Sequence, residues 1–165
     1  KTLLIGFDLR RPTLSKGFEM NGEVGLSTYL IGKNSEDKII FDTGYPNLKI
    51  IPSGPIPPNP GELSMSEKIR ELLSGLKKQY DFIVIDSAPI GTVSDSYFVA
   101  SMADATVVMV RHGQTNKHFL HTTLLEAESN GISGLSLVVN DLRTKRTSYR
   151  YAYNYKYEYK QKKKS

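Results

Sequence analysis

The chain has no cysteine and no tryptophan. Without cysteine, disulfide scaffolds and zinc–thiolate sites are excluded, and a reducing compartment is permitted. No apolar run approaches the roughly 18 residues that a membrane-spanning helix needs, so no span is expected within this chain. A secretory signal pattern is missing from the start, and the first residue is Lys1 rather than Met, which reads as a piece of a longer protein. Also lacking is a phosphate-cradling loop of the form G-x-x-x-x-G-K-S/T. The nearest string, Gly32-Lys33-Asn34, carries Asn34 where Ser or Thr is needed and Ser27 in place of the upstream glycine. Ser87 lacks the G-x-S-x-G setting of a hydrolase nucleophile, which removes that class. Of His112, His118 and His121, only the last two share a helical face, and no acid stands at a suitable offset. A solvated helix face fits them better than a metal site.

What is present suits a single globular domain: 165 residues, 39% hydrophobic and 24% charged. The net charge of +5 is unevenly spread. Residues 143–165 hold nine basic residues and one acid, Glu158, a balance of +8. Residues 1–142 keep 13 basic and 16 acidic residues, a balance of −3. The same basic segment holds six of the ten tyrosines, at alternate positions: Tyr149, Tyr151, Tyr153, Tyr155, Tyr157 and Tyr159. The organisation is therefore a mildly acidic body, 1–142, and a basic, tyrosine-rich tail, 143–165.

Four short apolar runs have the character of parallel strands buried on both faces: Thr2–Phe7, Phe82–Ile85, Ala105–Val110 and Leu135–Val139. Leu48–Ile51 makes a fifth. Between them, Glu62–Lys78 places Leu63, Ile69, Leu72, Leu73 and Leu76 at helical spacing after a Pro/Gly-rich lead-in, Pro52–Gly61. Ser94–Ala103 opens on a Ser/Asp pair suited to an N-cap. Asn116–Ser129 is a third helix, stopped by Asn130-Gly131. Lys33–Tyr45 reads as helix passing into loop. Strands alternating with helices at this spacing imply a doubly wound α/β sheet.

In such a sheet, ligands sit beyond the carboxyl ends of the strands. Leu3–Phe7 runs into Asp8, followed by Leu9-Arg10-Arg11-Pro12, and Phe82–Ile85 runs into Asp86, followed by Ser87-Ala88-Pro89. A carboxylate there offers a hard oxygen ligand to a nucleotide-bound Mg²⁺. The plainer reading of either one is a cap on the next turn, but two in one sheet favour the functional reading. Asn140 ends the last strand, where its amide could read a purine edge or simply close a turn. Arg111 ends another, near phosphate or in water.

The strings Leu3–Pro12, Pro52–Leu63 and Tyr80–Pro89, with Val93-Ser94-Asp95, Val107–Arg111 and Asn140, resemble the bacterial tyrosine kinases, the cytoplasmic kinase domains of exopolysaccharide and capsule chain-length regulators. The Gly-Pro-x-Pro-Pro-Asn-Pro block at Gly54–Pro60 separates that family from the related partitioning ATPases. The resemblance implies a P-loop NTPase-like, ParA/MinD-type three-layer sandwich with a mainly parallel sheet, here N-terminally truncated: the Walker A part is absent from residues 1–142. It implies ATP and Mg²⁺ as cofactors. Asp8 then matches the second carboxylate of the Walker A′ pattern D-x-D-x-R, with Arg10 as its arginine, Asp86 the Walker B aspartate and Asn140 the adenine contact. The first A′ carboxylate position is Gly6.

By the same resemblance the Tyr149–Tyr159 cluster is the substrate, phosphorylated in trans between subunits of a ring-type homo-oligomer. A membrane-embedded activator or a fused chain-length regulator is the expected partner, at the cytoplasmic face of the bacterial inner membrane. Full phosphorylation would carry the tail from +8 to roughly −2 or −4, since each phosphate adds close to two negative charges. Without a phosphate loop, the chain alone is expected to be inactive. Two other readings stand beside this one. The tail could be an edge strand or a solvated aromatic arm, or the chain could be a partitioning-type ATPase whose basic tail binds DNA or an anionic membrane. The kinase reading expects no specific nucleic-acid affinity.

Overall fold

The computed structural model describes residues 1–132 and 134–142, so the Tyr149–Tyr159 cluster lies outside the described residues. Along the chain run β1 (Thr2–Gly6), α1 (Leu14–Gly17), α2 (Leu26–Leu30), α3 (Glu36–Ile39), β2 (Phe41–Asp42), β3 (Leu48–Ile51), α4 (Pro60–Ser64), α5 (Glu67–Leu76), β4 (Phe82–Asp86), α6 (Ser94–Ala100), β5 (Thr106–Arg111), α7 (Lys117–Ser129) and β6 (Leu135–Asn140). Of the apolar runs read as strands buried on both faces, β1 and β3 are well covered, but β4 and β6 are largely exposed, contrary to that expectation. Leu3 and Ile5 of β1 are buried, and so are Ile50 and Ile51 of β3. β1 lies between β3 and β4, parallel to both, with Thr2 opposite Leu48 and Phe82. The mixed α/β architecture with mainly parallel strands is as expected.

Three further details differ from the sequence reading. The segment around Lys33–Tyr45 yields α3 and then β2, a two-residue strand antiparallel to β3 at the sheet edge. The helix expected over Glu62–Lys78 is two helices. Ser66 between them takes an extended backbone (φ −72°, ψ 153°), while its hydroxyl donates to the Leu63 carbonyl at 2.8 Å. A serine that bonds its own backbone competes with helix continuation. Lastly, the strands fall into two sheets, β2-β3-β1-β4 and β5-β6, rather than one.

The main core lies on one side of the four-stranded sheet. Leu3 and Ile5 pack there with Leu26 and Leu30 of α2 and with Ile69, Leu72 and Leu76 of α5. Those α5 positions follow the 3.6-residue period that the sequence shows. On the other face β4 is open, Phe82 being 70% exposed and Val84 53%, and in the separate β5–β6 ladder Val107 and Met109 are exposed to a similar extent. α7 begins as expected, the Asn116 side chain accepting from the N–H of His118 (2.8 Å) and Phe119 (3.2 Å), and it ends before Gly131 at φ +72°.

Candidate functional site

Gly6 stands opposite Asp86 in the β1–β4 ladder, and the Phe7 N–H donates to the Asp86 carbonyl at 2.7 Å. Because the strands are parallel, Asp8 emerges at the same end as Asp86. The Asp8 Oδ1 accepts the backbone N–H of Arg10 (3.0 Å) and of Arg11 (2.9 Å), so this carboxylate does cap its own turn. It also faces Asp86. Partial withdrawal from water, and then the Asp8 charge, push the Asp86 carboxyl above the usual carboxylate range. The turn bonds of Asp8 engage Oδ1 alone, with Oδ2 outside them.

A like-charged carboxylate pair at strand ends suits a divalent cation, which would relieve the repulsion. Among the described residues no group of three or more His, Cys, Asp or Glu side chains forms a cage. A magnesium ion held by Asp8 and Asp86 would therefore complete its shell with water and phosphate oxygens, as that ion commonly does.

The Arg10 guanidinium turns away to α6, where its Nη1 donates to Asp95 Oδ2. Asp95 is buried, and its Oδ1 has no partner. The sequence reading placed Asp95 in an N-cap pair; the N-cap residue is Val93 and no side chain caps α6. Nothing in a local window reveals this contact, which joins positions 85 residues apart. Gly61 completes the surroundings: a Cβ there would lie 2.9 Å from Arg10 Nη2, so the end of the Pro/Gly-rich block closes over the guanidinium.

At Gly6 the vacant first A′ position is sterically closed. A Cβ would come within 2.7 Å of Ser53 Oγ and 3.1 Å of the Ser53 backbone nitrogen. Arg111 and Asn140 are opposite one another in the β5–β6 ladder, on a different sheet from Asp8 and Asp86. Arg111 Nε donates to Asp141 Oδ2 at 3.0 Å, and Asn140 Oδ1 accepts the Asp141 N–H at 2.7 Å. The Asn140 side-chain oxygen is thus engaged locally, and among the described residues its amide N–H groups make no hydrogen bond. His118 and His121 are exposed on α7.

No family model matches the sequence. The tyrosine-protein kinase CpsD of Streptococcus agalactiae is 32% identical over 150 residues, covering 90% of this chain and 66% of its own length. CapB of Staphylococcus aureus is 35% identical, covering 92% of this chain and 67% of its own. Among solved structures, the kinase domain of Escherichia coli tyrosine kinase ETK superposes with a TM-score of 0.84 at 30% identity, over 88% of this chain and 57% of that one. The cell-division protein MinD of Aquifex aeolicus, solved with MinC, shares the fold at a TM-score of 0.70 and 21% identity, over 87% of this chain and 57% of that one. The chain spans just under two thirds of CpsD and about two thirds of CapB. Identity and superposition agree, and the chain belongs to the bacterial tyrosine kinase family.

Proposed function

We propose that this chain is the greater part of the catalytic domain, 1–142, of an ATP-dependent protein-tyrosine autokinase, with a substrate tail at 143–165. The observation that carries the reading is the Asp8–Asp86 pair at the ends of adjacent parallel strands, where the Asp8 charge helps raise the Asp86 carboxyl. When bound, ATP with Mg²⁺ supplies the transferable γ-phosphoryl group and neutralises its charge. Asp8 and Asp86 hold the cation, and Asp86 lines the reacting end, while the Arg10 guanidinium is tied to Asp95 beside it. Asn140, through its free amide donors, and Arg111 serve the nucleotide.

The acceptor is a tyrosine of the Tyr149–Tyr159 cluster on another copy of the chain, within a ring-type homo-oligomer. The balance is simple: the phenol oxygen gains the phosphoryl group, ADP leaves, and the phenol proton passes to solvent or a base. Gly6 leaves no side chain at the first A′ position to take that proton. Regulation of exopolysaccharide or capsule synthesis and export follows, with a membrane-embedded activator or a fused chain-length regulator as partner at the inner membrane. Among the described residues no helix is long and apolar enough to cross a membrane.

Phosphopeptide mapping of the protein isolated from its host tests this reading. Phosphate on Tyr149–Tyr159, lost with Asp86→Asn, is the expected result; an unmodified cluster overturns it. The 165-residue chain incubated alone with labelled Mg²⁺-ATP is expected to transfer nothing to its own tyrosines, because its sequence holds no loop whose backbone N–H groups and lysine would grip the phosphates. Clean self-labelling by this chain would refute that part.

A further inference from the structure

Arg10 is rooted beside the carboxylate pair. Its own backbone N–H donates to Asp8 Oδ1 at 3.0 Å, so its side chain starts from the turn that Asp8 caps, at the strand end shared with Asp86. A guanidinium is permanently charged, carries five donors and matches carboxylates bidentately. Two neighbouring carboxylates that repel each other are the natural place for it to settle. It does not settle there. Among the described residues neither Asp8 nor Asp86 takes part in an ion pair, and the guanidinium is bound to Asp95 instead.

Asp95 has the properties of a dedicated holder. Its side chain is 4% exposed, and Arg10 is its ion-pair partner. Its second oxygen, Oδ1, is buried and unpartnered, so releasing Arg10 would strand a buried charge altogether. Gly61, at the start of α4, leaves room for the same guanidinium: a Cβ there would lie 2.9 Å from Nη2. Three segments distant in sequence thus converge to fix one arginine away from its nearest acids.

We propose that Asp95 is a positioning residue that sequesters the Arg10 guanidinium, keeping the Asp8–Asp86 pair open for a divalent cation. The proposal rests on reading Asp8 and Asp86 as a cation site. It gives Asp95 a function distinct from packing: without it, the arginine becomes an internal competitor for the metal.

Mn²⁺ binding to the 165-residue chain, followed by electron paramagnetic resonance, tests this. Asp95→Asn is expected to weaken Mn²⁺ about tenfold, the equivalent of one unit of charge-partner shift. Adding Arg10→Gln to Asp95→Asn is expected to restore the affinity to within about twofold of Arg10→Gln alone. A merely structural role predicts no such rescue. If Asp95→Asn has no effect, or the double variant stays as weak as the single one, the proposal falls while the cation site stands. If Mn²⁺ affinity survives Asp86→Asn, the cation-site reading falls and takes the proposal with it. Should Asp95→Asn fail to fold by circular dichroism, the wild-type chain decides. Its Arg10 guanidinium protons are expected to exchange slowly with water both with and without saturating Mg²⁺. Exchange that accelerates as Mg²⁺ binds would mean the arginine had been on the carboxylates, and would overturn the proposal.

Discussion

At position 6 a single methyl group already meets Ser53, whose hydroxyl and backbone nitrogen both stand in its way. Gly6→Asp, which would complete the D-x-D-x-R pattern, is therefore expected to destabilise the fold by about 1–3 kcal/mol, seen as a lower urea midpoint. A variant as stable as the wild type would contradict this. Asp86 gives a pH-dependent test. Its carboxyl is held above its ordinary value, so the folded state binds its proton more tightly than the unfolded state does. The favourable contribution is complete below the unfolded pKa and is lost as pH rises through the elevated folded one. Asp86→Asn should accordingly raise Tm at neutral pH, with the gain shrinking to nothing in acid below the usual carboxylate pKa. An equal gain at every pH would rule out charge as its origin. Asp8 differs in character because two backbone N–H groups hold one of its oxygens.

Among elements, α2 depends on the closest approach in the chain. The N–H groups of Leu26 and Ser27 donate to the carbonyls of Pro52 (2.8 Å) and Ser53 (2.9 Å), docking the helix start onto the chain beyond β3. A Cβ on Gly25 would lie 2.2 Å from the Pro52 oxygen, and backbone cannot rotate aside as a side chain can. Gly25→Ala should cost about 3 kcal/mol or more, measured by chemical denaturation. Between α6 and α7, the Tyr97 hydroxyl donates to Glu126 at 2.7 Å; burial first, and then that carboxylate, raise the phenol to about 12. Ultraviolet titration of the Glu126→Gln variant should show this tyrosine ionising earlier. The strands and α5 were legible in sequence because runs such as Thr2–Phe7 and the α5 leucines have unmistakable periods. α1 and α2 were not, being too short for a period to register, and β2 shows only two residues of pattern. Asp8 and Asp86 were legible as acids because each directly follows an apolar run in the sequence. Arg10's tie to Asp95 was hidden, since it depends on which loops the fold brings together.

For the whole molecule, the outstanding property is exposed apolar strand surface on β4 and β5. Phe82, Val84, Val107 and Met109, all more than half exposed, sit on strands whose alternate residues pack inward. The chain should bind a hydrophobic dye and associate with rising concentration in sedimentation velocity, and Val84→Lys with Val107→Lys should suppress both. A dilution-independent monomer that ignores the dye would refute this. The division into two ladders also bears on how the molecule comes apart. Among the described residues no backbone hydrogen bond links β5–β6 to the four-stranded sheet. Side-chain ties such as Lys77–Asp104 and Tyr97–Glu126 bridge the flanking segments instead. Cooperativity travels poorly across such ties, so β5, β6 and α7 form a subunit of lower local stability than β1 and β3. The amide protons of β1 and β4, which carry Asp8 and Asp86 at their ends, and those near Asn140 would then report two separate opening equilibria, so the parts of the proposed site would open independently.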